Sequence, residues 1–239
     1  MTAAGPQHLE RIHVGCFSPT GNSRLVAETC GAVWSRELKL PLLSEHWKDP
    51  QTLFLPRPPV AAEHLPARRF AARELAVLAF PVYAGRLPNL LLPFIKTLQG
   101  DGTPALALVT YGNRSPDDAL FELMQLLGRR GFIVLAGAAF VGAHAFSTKL
   151  AAGRPDAADL AEIRAFAGSV LERAKKNGWM PVRIDAQPER PPRPYYVPRD
   201  AAGRPIDLRK VKPEVSAERC TRCGLCAAVC PTGAIRAAD

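Results

Sequence analysis

The sequence predicts an α/β fold: a doubly wound, parallel, five-stranded sheet with helices on both faces, followed by a short cysteine-bearing C-terminal segment. Three observations carry that reading. Apolar runs and helix-period stripes alternate along the first 178 residues. Three of the runs, Leu75 to Val82, Ala105 to Tyr111 and Phe132 to Val141, are continuous rather than alternating, the pattern of strands buried on both faces. Four of the six cysteines then crowd into Cys220 to Cys230, after a stretch rich in proline.

Met1 to Arg11 is polar, and Ile12 to Phe17 forms the first strand, with Cys16 as a packing residue. Arg24 to Leu40 sets Leu25, Val26, Cys30, Val33, Trp34 and Leu38 on one helical stripe. The proline-rich stretch from Pro41 to Arg73 supports one short strand, near Leu40 to Leu43. After the strand Leu75 to Val82, a helix is expected over Leu87 to Leu98, with Pro93 bending it. The strand Ala105 to Tyr111 leads into an amphipathic helix, Pro116 to Arg129, stopped at Gly128 and Gly131. Phe132 to Val141 is the last strand. Asp156 to Asn177 is the closing helix, with Asp156 and Asp159 early, Arg173, Lys175 and Lys176 late, and Gly178 as its stop. The resulting division is a first domain over 1–178, a linker over 179–214 and a cysteine segment over 215–239. The linker region holds Pro181, Pro188, Pro191, Pro192, Pro194, Pro198, Pro205 and Pro213, so it runs extended, with Tyr195 and Tyr196 placed to pin it to the first domain.

Composition narrows the function classes. At 239 residues and 47% hydrophobic content the chain can bury a full core. Its 31 basic and 22 acidic residues leave a net charge of +9. That charge is spread out and forms no dense stripe, which points away from nucleic acid and toward steering acidic protein partners at low salt. No charged-then-apolar leader precedes the first strand, and Phe132 to Phe146 is too short to cross a bilayer, so a soluble, cytoplasmic protein without a membrane span is expected.

In such sheets ligands bind beyond the carboxyl ends of the strands, where the strand order reverses. The first loop there is Phe17-Ser18-Pro19-Thr20-Gly21-Asn22-Ser23-Arg24. It delivers the hydroxyls of Ser18, Thr20 and Ser23, the Asn22 amide, the permissive Gly21 and unpaired N–H groups onto a helix N-terminus, a seat for an anion. It lacks the Lys of a nucleoside-triphosphate loop and any G-x-G-x-x-G, so a single phosphate monoester fits better than a diphosphate. The bland reading of the same residues is a helix cap. Two further loops leave the ends of buried strands: Pro81-Val82-Tyr83-Ala84-Gly85-Arg86 and Thr110-Tyr111-Gly112-Asn113-Arg114. Tyr83 or Tyr111 can stack on a flat aromatic ligand, with backbone N–H groups at Ala84, Gly85, Gly112 and Asn113 for its polar edge. His144, after the last strand, reads as a hydrogen-bonded core residue.

Ser18-Pro19-Thr20-Gly21-Asn22-Ser23 resembles the flavin phosphate loop of flavodoxins, with Ser23 in place of a final Thr. The resemblance implies a flavodoxin-like domain with FMN as cofactor, its phosphate on the first loop and its isoalloxazine ring between the other two.

The run Cys220-x-x-Cys223-x-x-Cys226-x-x-x-Cys230-Pro231 is of another kind. Structural zinc sites take two separated pairs of ligands, whereas three thiols two residues apart wrap the corner of a cube and meet different irons. The run is of the ferredoxin type that binds a 4Fe-4S cluster. There is only one copy. Four arrangements remain open: a missing second half, Cys230 folding back as fourth ligand, a ligand from another chain, or a labile or three-iron cluster. The order of flavodoxin-like domain, Pro-rich connector and ferredoxin-type run resembles the EFR1-type family of flavodoxin-ferredoxin fusion proteins, through the first loop, Pro-Val-Tyr-Ala-Gly-Arg, and Lys-Pro-Glu-Val before the cysteines. Flavin and cluster together imply an electron carrier serving redox protein partners. The alternatives are an FMN-dependent reductase of a quinone or other small acceptor, and a non-catalytic binding module with a vestigial metal site. No nucleophile, general base or catalytic dyad stands out on the rim, which agrees with a carrier.

Overall fold

The computed structural model describes residues 8–47, 68–182, 191–207, 213–230 and 235–236. Parts of the expectations for Met1 to Arg11, for Pro41 to Arg73 and for the linker fall outside them. The elements are β1 (Arg11–Cys16), α1 (Asn22–Leu38), β2 (Leu42–His46), β3 (Arg68–Phe70), β4 (Glu74–Pro81), a 3-10 turn (Asn89–Leu91), α2 (Leu92–Ile95), β5 (Leu98–Gly100), β6 (Thr103–Tyr111), α3 (Ala119–Arg129), β7 (Phe132–Val141), α4 (Ala157–Asn177) and α5 (Leu225–Val229).

The main sheet has five parallel strands in the order β2-β1-β4-β6-β7. Counted among its own members that is 2-1-3-4-5, the flavodoxin-like version of the doubly wound fold, with its switch point beside β1. β4 explains the two-sided burial. Its Leu75, Val77 and Ala79 join one core with Ile12, Val14, Trp34, Ile163 and Leu171, while Ala76, Leu78 and Phe80 join a second with Leu87, Leu91, Leu123 and Leu127. Successive side chains of a strand point to opposite faces, so a continuous apolar run is what this position requires. α1 and α4 cover the first face, where Trp34 Nε1 donates to the Ala167 carbonyl at 2.8 Å. α4 opens on a capping box: Asp156 accepts from the Ala158 and Asp159 N–H groups, and Asp159 accepts from the Asp156 N–H.

Two expectations are corrected. The helix over Leu87 to Leu98 is reduced to the 3-10 turn and the single turn of α2, because Pro88 caps the former and Pro93 sits in the first turn of the latter, where it cannot extend an existing helix. The chain then runs into β5, which pairs in parallel with β3 as a separate two-stranded sheet that the sequence did not announce. The short strand expected near Leu40 to Leu43 begins later, at Leu42, because Lys39 takes a left-handed conformation at the end of α1. Beyond α4 the chain turns back, and the Val182 N–H donates to the Val134 carbonyl on the outer edge of β7 at 2.8 Å. Among the described residues no helix is long and apolar enough to cross a membrane.

Candidate functional site

Three loops meet at the carboxyl ends of β1, β4 and β6. The first leaves β1 through buried Phe17 and Ser18 and turns at Gly21, the left-handed N-cap of α1. The Ser18 Oγ accepts the Arg24 N–H at 3.0 Å, and the Ser18 carbonyl accepts the Gly21 N–H at 3.4 Å. Among the described residues the N–H groups of Thr20, Asn22 and Ser23 have no acceptor. They sit at the head of a 17-residue helix, where the dipole favours an anion. Two of the expected side-chain donors face elsewhere. The buried Ser23 hydroxyl shares a 2.6 Å hydrogen bond with the Thr110 hydroxyl, and the Asn22 amide donates to the Ala143 carbonyl at 3.1 Å. What the loop offers at this end is therefore backbone N–H groups, with the exposed Thr20 side chain beside them. Ser23 and Asn22 fasten the loop to the end of β6 and to the loop after β7.

The second loop is a tight turn. Tyr83 and Arg86 exchange N–H to carbonyl hydrogen bonds of 2.8 and 3.0 Å, and both central residues have positive φ, 50° at Ala84 and 81° at Gly85. That is type I′ geometry, which favours glycine at the second position. A Cβ on Gly85 would come within 2.8 Å of Asp117 Oδ2. Tyr83 is 42% exposed, so its ring stands at the rim rather than in the core. Pro81 ends β4 opposite Thr110, and the Val82 N–H donates to the Thr110 carbonyl at 2.8 Å. The third loop continues from Thr110 through Tyr111 and Gly112 to Asn113, whose φ is +61°. Gly112 lies against His144, whose Nδ1 accepts the Phe146 N–H at 3.1 Å. His144 is thus hydrogen-bonded as expected, but it is half-buried in the loop after β7 rather than in the core. The N–H groups of Ala84, Gly85, Gly112 and Asn113 have no acceptor among the described residues.

The sequence did not reveal the ionic framework beneath these loops. Glu122, on α3, accepts from Arg86 Nε at 2.9 Å, from Arg86 Nη2 at 2.5 Å and from the Leu87 N–H at 3.1 Å. Both side chains are largely buried, at 15% and 6% exposure. The described part of the connector is bound to the same framework. Asp118, buried at the start of α3, accepts the Arg193 N–H at 2.7 Å and Arg193 Nη2 at 2.7 Å. The Tyr195 hydroxyl donates to the Leu87 carbonyl at 2.7 Å, and burial, then the Glu122 carboxylate, push that phenol up to about 12. The Arg86 guanidinium lies 4.7 Å from the Tyr195 ring centroid. The only available signal for the pinning was the Tyr195-Tyr196 pair.

Cys16 and Cys30 are buried in the core, and burial pushes each thiol up to about 12, so both are protonated packing residues. In the C-terminal segment Cys220, Cys223 and Cys226 are exposed and Cys230 is half-buried, and none of the four is in a disulfide. Arg222 and Gly224 adopt positive φ, 54° and 72°, and wrap the chain into the single-turn helix α5. The Leu225 N–H and the Thr221 hydroxyl hold the Cys223 thiol below its ordinary range, the effect of donors aimed at a sulfur. Among the described residues no three His, Cys, Asp or Glu side chains converge on one metal ion. A cubane sets each thiolate on a different iron, which spreads them further apart than a single tetrahedral ion would.

Residues 213–236 match the family of 4Fe-4S binding domains. No curated protein matches the chain in sequence. Among solved structures the chain is similar to oxidised flavodoxin 2 from Bacillus cereus, at 16% identity, 68% coverage of this chain and 99% of that one, and a TM-score of 0.47. It is also similar to a flavodoxin from the domain Archaea, at 13% identity, 69% and 99% coverage and TM-score 0.44. An NADH:FMN oxidoreductase in its apo form gives 20% identity, 67% and 88% coverage and TM-score 0.44. The fold assignment itself stands on strand order and register. On that order and the matched cysteine run, the chain is a flavodoxin-like α/β unit followed by a ferredoxin-type segment.

Proposed function

We propose that this chain is an electron-transfer protein that couples an FMN, held at the carboxyl rim of its sheet, to a 4Fe-4S cluster in its C-terminal segment, in the manner of the EFR1-type fusion proteins. The observation that carries the reading is the combination in one chain of an amide-lined loop beside two aromatic-bearing loops and a cysteine run of the 4Fe-4S binding family. In this reading residues 1–178 bind FMN, 179–214 connect, and 215–239 bind the cluster. The backbone of Thr20 to Ser23 takes the phosphate. The loops Pro81 to Gly85 and Thr110 to Asn113 border the ring, with Tyr83 or Tyr111 against its face and their free N–H groups toward its polar edge. Cys220, Cys223, Cys226 and Cys230 are the cluster ligands. FMN accepts one or two electrons and the cluster passes one at a time, so the pair can join partners of unlike stoichiometry. The chain's residues bind and orient without donating a catalytic proton, and its net positive charge suits acidic redox proteins as partners.

The test is an anaerobic purification followed by an absorption spectrum with flavin, iron and acid-labile sulfide counted per chain. One FMN with about four irons is expected. Flavin without iron would remove the cluster from the reading, and a colourless protein that takes up neither cofactor would overturn it.

A further inference from the structure

The connector touches the proposed ring site, which a simple link between two cofactor sites does not require. Its Arg193 holds Asp118 through the backbone N–H and the guanidinium, while the Arg193 carbonyl accepts Arg86 Nη1 at 2.9 Å. Two residues later the Tyr195 hydroxyl reaches the Leu87 carbonyl at 2.7 Å. The Tyr196 N–H then donates at 2.8 Å to the carbonyl of Ala84, at the strained tip of the second loop. The Tyr196 ring lies 5.2 Å from the guanidinium of Arg114, which is itself paired with Asp117 on the third loop. Asp118 completes the circuit by donating its own N–H to the Gly85 carbonyl at 3.0 Å. Three connector residues, Arg193, Tyr195 and Tyr196, thus tie the tips of both ring loops to each other and to α3. A passive tether needs no such bonds, and a proline-rich segment loses little entropy on docking.

We infer that the strap Arg193 to Tyr196 is a latch that forms one wall of the ring site, so that FMN binding and connector docking stabilise each other. The inference rests on the flavin reading above. The two loops offer their N–H groups to the ring in one arrangement only while their tips are held, and the strap holds them. Linkage is reciprocal: whatever factor the latch adds to FMN affinity, FMN adds to latch closure. Because the strap is continuous with the cysteine segment, flavin loading in turn shortens the free tether between the two cofactors.

Arg193 is the residue to change, since its side chain is 64% exposed and lies outside the core and the loops. Apo-protein of the full chain is titrated with FMN by flavin fluorescence, and chymotryptic cleavage after Tyr195 and Tyr196 is timed with and without FMN. For Arg193→Ala the expected result is FMN affinity down about tenfold and faster cleavage, from loss of charge-assisted hydrogen bonds. Arg193→Lys restores the charge without the planar fork and is expected to fall between. In the wild type FMN is expected to slow cleavage several-fold, and in Thr20→Glu to leave it unchanged. Unaltered affinity in Arg193→Ala, or no protection by FMN in the wild type, would overturn the coupling while leaving FMN binding intact. A wild type that binds no FMN would instead overturn the flavin reading, and the latch with it.

Discussion

The Arg86–Glu122 pair is the place where the loop after β4, α3 and the connector share one charge, and Glu122→Ala is the perturbation that isolates it. Removing one member of a buried ion pair costs about 3–5 kcal/mol, mostly because the other charge is left unpaired. Arg86 would keep the Arg193 carbonyl and the face of Tyr195, which sets the expectation at the lower end, about 3 kcal/mol. The Leu87 N–H would lose its acceptor as well, within that figure. With a urea slope of about 2 kcal/mol per molar, the unfolding midpoint should drop by about 1.5 M. Glu122→Gln keeps the volume and an acceptor, and should lose roughly half as much. Urea titrations followed by tryptophan fluorescence suit the measurement, since Trp34 is fully buried. Both side chains are shielded from solvent, so 0.5 M salt should leave most of the difference in place. A midpoint shift below about 0.3 M for Glu122→Ala, or a loss that vanishes in salt, would refute the reasoning.

Thr20→Glu places a carboxylate beside the amide seat and is expected to abolish FMN retention on gel filtration without changing cluster absorbance; a mutant that keeps its flavin would refute the phosphate site. Cys223→Ser is expected to lose cluster iron while the flavin released on denaturation stays at one per chain, and equal iron in mutant and wild type would remove Cys223 from the ligand set. His13 is buried against Phe70, with Glu74, Glu45, Arg68 and Arg11 around it, and burial above all lowers its pKa from 6.5 to about 4. Below pH 6.5 the unfolded chain therefore takes up a proton that the folded chain refuses. Stability is full above that pH and falls as pH drops toward 4, by up to about 1.4 kcal/mol per pH unit. Urea midpoints at pH 7 and pH 5 should show this loss in the wild type and a smaller one in His13→Leu; equal losses would assign it to other groups.

The sheet was legible because burial on both faces leaves nothing polar in the strand: Leu75 to Phe80 and Ala105 to Val109 announce themselves by composition alone. β3 and β5 were not, being three residues each with a mixed pattern such as Arg68-Arg69-Phe70, which local periodicity does not separate from loop. Leu87 to Leu98 misled because its apolar spacing suits a helix while Pro88 and Pro93 forbid a long one. At the first loop, the motif Ser18 to Ser23 suggested an anion seat, but which hydroxyl points outward and which bonds Thr110 depends on a strand 87 residues away. The Arg193–Asp118 bond spans 75 residues of chain and has no local signature at all.

The hydrogen bond from Val182 to Val134 places the beginning of the connector along the outer edge of β7. An uncovered edge strand is a template for pairing with another chain, and proteins blunt it with a charge, a bulge or a covering segment. Here β7 carries a bulge at Leu135, whose carbonyl accepts Arg173 Nη2 at 2.6 Å, and the returning chain adds the Val182 bond at the neighbouring Val134. A chain cut at Gly178 loses one of these three protections and should self-associate through β7 more readily than the full chain.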